Sequence, residues 1–384
     1  MKICPVAEYC GGCQYQGIDY PSQLENKQKY VESLLSNFHS VEKIIGMTDP
    51  DNYRNRMQIS FAYDEYHNVI SGYYVPSSHT IVPVNSCMLC DDNINRIYIS
   101  VKKILAKYKV SVFNERSMKG CIRHLLIRST NLNEFMVVLV AGTSRINSQD
   151  QIINDIIRFN PEVKTIVLNI NNRHTSSVLG DRNINLFGKG YITDELCDLK
   201  FKISPNSFYQ VNRRQTEILY DTAIKMADLK KTDVVIDAYC GTGTIGMYAS
   251  RYVEKVIGIE SNQSAVNDAI SNKKINGIKN IEFYCEDAGT YMNRLAEKGS
   301  HIDAVIMDPP RSGSSSKFIF SVNKLLPEKV IYISCNPETL KRDLKHLTNR
   351  YKISRIQPVD MFPYTSHVEC IVCMQRKNRQ STYF

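Results

Sequence analysis

Ser334-Cys335-Asn336-Pro337 closes the apolar run Val330-Ile331-Tyr332-Ile333, which puts a cysteine where a buried strand gives way to a helix. In an open α/β fold that is the rim at which ligands bind. A thiol there is a candidate nucleophile, although a free cysteine serves as readily as a small buried hydrophobe. A second group of cysteines opens the chain in Cys4-Pro5-Val6-Ala7-Glu8-Tyr9-Cys10-Gly11-Gly12-Cys13, with Cys87 and Cys90 later. Five residues separate the first pair and two the second, and the glycines permit a tight loop in which several thiolates reach one centre. Soft thiolates in such a loop suit an iron-sulfur cluster or zinc. Cys10/Cys13 and Cys87/Cys90 taken as two knuckles would make a structural Zn²⁺ site. Cys4, Cys10 and Cys13 with one later cysteine would hold a 4Fe-4S cluster, and the presence of Cys4 favours the cluster.

The whole chain bounds these readings. Its 384 residues exceed one ordinary core and suggest two domains. Hydrophobic residues at 43% and charged ones at 23% are those of a soluble globular protein. No apolar run approaches the roughly 18 residues of a membrane span, and Met1-Lys2-Ile3-Cys4-Pro5 leads into no signal-peptide core. A cytoplasmic location without membrane attachment is expected, and twelve cysteines then argue for metal or catalytic use of some rather than for disulfides. The net charge of +9 lies mostly in the second half, with 27 Lys/Arg against 20 Asp/Glu after residue 195 and 21 against 19 before it. Such a surplus is compatible with a polyanionic partner without requiring one.

The elements that must position these residues divide into two patterns. In residues 1–195, apolar Leu24, Val31, Leu34 and Leu35 predict a helix over 22–37. Short runs at Met57–Tyr63, Ile70–Tyr74 and Thr80–Val84 predict strands broken by Gly, Pro and Ser. Helices near 91–107 and 149–158 and strands at His124–Arg128, Glu134–Val140 and Thr165–Ile170 complete a mixed α/β domain. Tyr53-Arg54-Asn55-Arg56 and Arg123-His124 set arginines beside aromatic or strand residues, as RNA contacts or as plain solvated charges. From residue 196 to 384, an amphipathic helix after Phe208-Tyr209-Gln210-Val211-Asn212 leads into alternating strands and helices. The strands are Val234–Asp237, Lys255–Glu260, Ile281–Cys285, Ile302–Met307 and Val330–Ile333, with closing strands Ser354–Val359 and His367–Met374 and a polar, frayed tail from Gln375. Regular alternation implies a doubly wound, mostly parallel sheet.

Chemistry gathers at the strand ends of that second domain. Asp237-Ala238-Tyr239-Cys240-Gly241-Thr242-Gly243-Thr244-Ile245-Gly246 follows its first strand. The run begins with an acid and holds Thr242 between glycines, and so resembles motif I of S-adenosylmethionine-dependent methyltransferases more than a pyrophosphate cradle. Glu260 ends the next strand, where a carboxylate can accept both ribose hydroxyls. Asp308-Pro309-Pro310-Arg311 ends another. Amino-group methyltransferases often have an aromatic where Arg311 stands, so methylation of an exocyclic amine is not expected. Attention returns to Cys335: carbon 5 of a uracil is a poor nucleophile until a thiolate adds to carbon 6, and a base must afterwards remove the C5 proton. Glu369 and His367, in Thr365-Ser366-His367-Val368-Glu369, are the candidate bases.

On these motifs, which run from Cys4 to Glu369, the chain resembles the RNA (uracil-5-)methyltransferase family, and most its iron-sulfur-containing 23S rRNA branch. The resemblance implies a Rossmann-like class I methyltransferase domain over 196–384, preceded by an iron-sulfur-bearing RNA-binding domain over 1–195. It implies Cys335 as nucleophile and Glu369 as base. Gln210, Tyr239, Gly241, Glu260, Asp287 and Asp308 become the expected contacts to S-adenosylmethionine and the reacting centre. Cys4, Cys10, Cys13 and, by its place after Val82-Pro83-Val84, Cys87 become the expected ligands of a 4Fe-4S cluster. The implied product is 5-methyluridine in 23S rRNA, made by a monomer, with tRNA as the alternative substrate. Several rRNA enzymes of the family carry a small β-barrel before the cysteines and this sequence starts at them, which leaves RNA binding to residues 14–195 and the basic second half. Two expectations of other classes are a scaffold RNA-binding protein, which would not keep Cys335, Glu260 and the glycine loop, and a redox or radical enzyme, which would need three cysteines spaced three and two apart.

Overall fold

A computed structural model describes residues 3–78, 80–175 and 177–377. In chain order the elements are α1 (Ala7–Cys10), α2 (Tyr20–Leu35), β1 (Arg56–Tyr63), β2 (Val69–Tyr74), β3 (Ile81–Pro83), α3 (Asp92–Lys107), β4 (Ile122–Ser129), β5 (Phe135–Ala141), α4 (Gln149–Phe159), β6 (Val163–Ile170), β7 (Arg182–Gly188), β8 (Ile192–Leu196) and β9 (Leu199–Ile203). They continue with α5 (Arg213–Ala227), β10 (Val234–Ala238), α6 (Thr244–Ala249), β11 (Lys255–Glu260), α7 (Gln263–Ile275), β12 (Ile281–Cys285), α8 (Ala288–Glu297), β13 (Ala304–Met307), α9 (Ser316–Leu325), β14 (Lys329–Ser334), α10 (Pro337–Leu347), β15 (Tyr351–Val359) and β16 (Glu369–Arg376). Contacts gather these into two units. One holds residues 1–17, 50–195 and 200–213; the other holds 18–49, 196–199 and 214–384. Residues 200–213, beyond the change of pattern at 195, group with the first unit, and α2 packs with the second: Val31 and Leu35 sit in its core beside Ile236, Tyr332 and Leu344.

The first unit is built on a seven-stranded sheet of order β3-β2-β1-β4-β5-β6-β7, antiparallel except where α4 crosses over between β5 and β6. β4 and β5 are buried along their whole lengths. Ile94, Ile97, Val101 and Ile104 of α3 and Ile152 and Ile156 of α4 pack in the same core.

The second unit holds the sheet β12-β11-β10-β13-β14-β16-β15. Strands β12 to β14 run parallel, and β16 is antiparallel to both β14 and β15. The central strands are continuous apolar runs because strands covered on both faces need no polar alternation: Ala304–Met307 is wholly buried. Helices α7, α8 and α10 begin where the sequence supplies a side-chain cap. The Asn336 side chain accepts from Glu338 N–H at 3.0 Å with Pro337 in the first turn, and Asn262 and Asp287 cap α7 and α8 in the same way. Leu340, Leu344 and Leu347 then present one buried stripe of α10 to the core. β16 runs on to Arg376, so Gln375 and Arg376, expected to begin a frayed tail, are strand residues instead; they bond to the ladder and to Glu328. Residues 378–384 of that tail lie outside the described residues. Among the described residues no helix is long and apolar enough to cross a membrane.

Candidate active site

The parallel strands of the second unit end at one edge of the sheet, where the glycine loop after β10 faces the ends of β11 and β13. Asp237 is buried and accepts a hydrogen bond from Gly246 N–H at 2.9 Å through Oδ2. A Cβ on Gly246 would stand 2.5 Å from that oxygen, so only glycine allows the close approach. The second oxygen, Oδ1, is buried without a hydrogen-bond partner, and burial pushes the carboxyl well above the usual range, with Asp308 and Glu260 adding to it. Tyr239 takes the left-handed conformation at φ +63 and lays its ring 5.0 Å from that of Phe318. Gly241, also left-handed at φ +53, donates its N–H to Glu260 Oε2 at 3.1 Å and has open space where a side chain would project. Glu260 is held by Asn262 N–H at 2.8 Å on its other oxygen. Asp287 caps α8 through Oδ1, which takes Thr290 N–H at 2.9 Å, the Thr290 hydroxyl and Lys317. Those bonds, the Thr290 hydroxyl first, hold its carboxyl below the usual range.

Cys335, half-buried, follows β14 directly. β14 pairs with β16 up to Ser334↔Cys370, which brings Cys335, the next residue, close enough to Glu369, the first residue of β16, for the two to interact electrostatically. Glu369 is 4% exposed and its Oε2 has no partner. Burial, and then the Asp308 carboxyl, push it well above the ordinary carboxylate range. Asp308, at the end of β13 and half-buried, is pushed up to about 7 by desolvation. The Cys335 thiol is pushed up to about 12 by burial first and then by the Glu369 and Asp308 charges. Arg311 lowers it by less than these three raise it, so neither that cation nor the capped amino terminus of α10 makes a resting thiolate.

Arg311 is bonded to His367 instead, at 3.1 Å between Nη2 and Nδ1. A guanidinium can only donate, so the ring accepts at Nδ1 and carries its proton on Nε2. In that tautomer His367 offers a donor where a base would need a lone pair. Sequence reasoning missed Asp343, which buries a carboxylate on α10 and accepts from Ser314 N–H at 2.9 Å and from the Tyr332 hydroxyl at 2.7 Å. It thereby anchors the loop that begins Asp308-Pro309-Pro310-Arg311. An acid beside Leu344 in an otherwise apolar stripe is the signal that could have found it.

The other expected site residues lie in the first unit. Cys4, Cys10, Cys13 and Cys87 line one cavity of about 600 Å³ together with Arg54 and Arg56. Gly11 makes the bend at φ +63, with the Pro76 ring so close that a Cβ would fall 2.1 Å from it. Cys90 does not line the cavity; it is 1% exposed, with its thiol directed to the Arg56 carbonyl at 3.8 Å. Burial pushes the Cys10 and Cys13 thiols up, Cys13 to about 11. Cys87 is held down, to about 6, by the Cys90 hydrogen bond first. Among the described residues no three His, Cys, Asp or Glu side chains already converge closely enough to hold a metal ion. Gln210 is half-buried in this unit, and its carbonyl accepts from the Asn55 side chain at 3.0 Å.

Comparison with known proteins bears on the family and the fold. An uncharacterized RNA methyltransferase of Oceanobacillus iheyensis is 39% identical over 371 residues, covering 94% of this chain and 81% of the relative. Another, from Caldanaerobacter subterraneus subsp. tengcongensis, is 40% identical over 381 residues, covering 97% and 84%. Among solved structures, that of the Pyrococcus abyssi tRNA (uracil-54, C5)-methyltransferase in complex with S-adenosyl-L-homocysteine superposes with a TM-score of 0.78 at 27% identity, covering 94% of this chain and 85% of that one. The α/β fold, with its mostly parallel sheet, is thus that of class I S-adenosylmethionine-dependent methyltransferases. The family model for tRNA (uracil-5-)-methyltransferase matches residues 19–377, and with the glycine loop and the Cys335 strand end at one sheet edge, the chain belongs to the RNA (uracil-5-)methyltransferase family.

Proposed function

We propose that this chain methylates carbon 5 of a uridine in RNA, with Cys335 as covalent nucleophile and Glu369 as the base that releases the product. The observation that carries the reading is the β14–β16 pairing, which ends one residue short of a half-buried thiol and of a buried carboxyl whose Oε2 is unpartnered. The target base has to leave its stack to reach a thiol so placed, at the expense of a few kcal/mol of unstacking. Cys335 loses its S–H proton to solvent and adds as the thiolate to C6 of the ring, and the π electrons of the C5–C6 bond move into an enolate that makes C5 nucleophilic. The carboxylate form of Glu369 then takes the C5 proton, becoming the neutral acid that burial favours, as the C6–S bond breaks and the thiolate leaves. Burial penalises charge localised on sulfur, and passing it to a delocalised enolate relieves that penalty.

S-adenosylmethionine supplies an electrophilic methyl group when bound, and the residues present fit it. Glu260 offers carboxylate lone pairs beyond those used by Gly241 and Asn262, Asp287 has its second oxygen, and Gly241 leaves open space. Tyr239, Asp308 and Gln210 remain the further contacts proposed by family resemblance. For a 4Fe-4S cluster, the support is the chemistry of the lining: four soft thiols share one cavity with two guanidinium groups that would balance a thiolate-rich centre. Cys4, Cys10, Cys13 and Cys87 would hold it and Cys90 would not. Anaerobically purified protein is expected to be brown with broad absorbance near ~400 nm. Cys87→Ser should lose that colour and its iron, and Cys90→Ser should keep both; equal iron in the two variants would overturn the assignment.

The favoured substrate is 23S rRNA, because the cysteine-rich start resembles the rRNA branch; tRNA is the second reading, favoured by the Pyrococcus abyssi superposition. Cells with and without the gene distinguish them. Loss of one or more 5-methyluridines from rRNA is expected, whereas loss from tRNA alone moves the assignment to tRNA, and loss from neither overturns the function.

A further inference from the structure

Helix α2 has a stripe that makes no sense as plain core. Gln23, Lys27, Val31 and Leu35 are spaced four apart and all reach 0% exposure, yet half of them are polar. Lys27 Nζ lies 2.6 Å from Asp360 Oδ1, with both side chains fully shielded from water, and also donates to the Phe362 carbonyl at 3.0 Å. The Tyr20 hydroxyl donates to Asp360 Oδ2 at 2.9 Å and accepts from Met47 N–H at 2.7 Å. Gln23 Oε1 accepts from Tyr364 N–H at 2.8 Å, at a residue held in the left-handed conformation at φ +66. Asp360 itself accepts from Phe362 N–H at 3.2 Å, and the Phe362 carbonyl also takes the Thr365 N–H and hydroxyl. Four residues later the chain enters β16 at Glu369. The same helix reaches the other strand end too, since the Tyr30 hydroxyl contacts Glu338 Oε1, in the first turn of α10 behind Cys335, at 3.3 Å.

We propose that Lys27 and Tyr20 are positioning residues for the reaction: through Asp360 they clamp the segment 360–368, and so fix where Glu369 stands relative to Cys335. A buried ion pair is a poor source of stability compared with apolar packing, and a helix that needed only to cover this sheet would carry Leu or Met at positions 23 and 27. What the pair provides is direction, because Asp360 bonded from both oxygens leaves one orientation for the backbone that follows. Glu369 has no partner on Oε2 to orient it locally, so its position depends on the backbone delivered to it. The proposal rests on Glu369 acting as the base of a covalent mechanism.

The test uses the full chain with Lys27→Met and Tyr20→Phe, and Glu369→Gln as control, measuring turnover, KM for S-adenosylmethionine and RNA, and the fraction of enzyme held as covalent RNA adduct. Displacing a catalytic group by an ångström lowers turnover by roughly a hundredfold. Lys27→Met is therefore expected to lose roughly tenfold to a hundredfold in kcat with KM for S-adenosylmethionine unchanged, and to accumulate adduct because the proton-removal step is the one disturbed. Tyr20→Phe keeps the ion pair and should show the same pattern more weakly, which carries the test if Lys27→Met fails to fold. Wild-type kcat and adduct fraction in either folded variant, or loss of turnover together with cofactor binding, would overturn the clamp. Absence of adduct in Glu369→Gln would instead show that the covalent reading is wrong, while the split between kcat and KM would still report on Lys27 and Tyr20.

Discussion

Cys335→Ala is expected to lose all measurable 5-methyluridine formation while remaining folded and binding S-adenosylmethionine as the unaltered chain does. The side chain is half-buried at the end of β14 and takes no part in capping α10, which Asn336 performs. Shortening it to Ala therefore removes the nucleophile and little else. The groups expected to hold the cofactor, Glu260 and the glycine loop, lie at the ends of other strands. Covalent catalysis splits one hard step into two easier ones, and without it C5 of a uracil has no route to an enolate. Equilibrium binding of cofactor and a methyl-transfer assay on the substrate RNA check both halves. A variant that still turned over would end the covalent mechanism. In the unaltered chain, kcat/KM should climb with pH through and beyond neutrality, since the resting thiol is pushed up to about 12 and ionises more as pH rises.

Glu369→Gln is expected to methylate once and stop, leaving a heat-stable protein–RNA adduct on a denaturing gel, because addition and methyl transfer need no base at C5 whereas elimination does. The absence of such an adduct would move the base elsewhere. His367 is the neighbouring candidate, but its Nδ1 bond to Arg311 places the ring proton on the nitrogen that would have to accept. The same substitution has an effect on stability with a definite sign. Glu369 and Asp308 have folded pKa values raised above their unfolded ones, Asp308 to about 7. Their contribution is thus fully present below the unfolded values near ~4 and is lost as pH rises through the folded ones. Glu369→Gln cannot ionise there. It should match the unaltered chain at pH ~4 and exceed it at pH ~8 by on the order of 1–3 kcal/mol, the scale for a buried polar group left unsatisfied. Denaturant midpoints at the two pH values measure this, and equal curves at pH ~8 would mean that Glu369 is not held against ionisation.

How much of this was legible follows from what each residue's neighbours are. The βα alternation could be read because parallel strands covered on both faces are largely apolar runs: β11 and β12 begin and end where Lys255–Glu260 and Ile281–Cys285 place them. β7 was not legible, since Arg182-Asn183-Ile184-Asn185-Leu186-Phe187-Gly188 has no wholly buried residue. The allegiance of α2 was not legible either. Periodicity picks out Leu24, Val31, Leu34 and Leu35, whereas the fully buried stripe is Gln23, Lys27, Val31 and Leu35, and Lys27 is buried only because Asp360, more than three hundred residues away, meets it. The positions of Cys335, Asp308 and Glu369 could be proposed from strand ends, but not the protonation of the thiol. The thiol is raised by its own burial and by the Glu369 and Asp308 carboxyls ahead of the lowering effect of Arg311, and neither carboxyl adjoins Cys335 in the chain.

The antiparallel pairing of β16 with β14 has a consequence for how this site tolerates change. Thiol and carboxyl are brought near one another by the pairing of two strands spaced about 4.8 Å apart, which runs up to Ser334↔Cys370, and not by the course of the chain between them. Residues 337–368 can therefore lengthen or shorten in their connections without altering the gap, provided the segment that enters β16 is anchored. A shift of β16 by a single residue, by contrast, turns every one of its side chains to the opposite face. It would leave a sheet, and no pair.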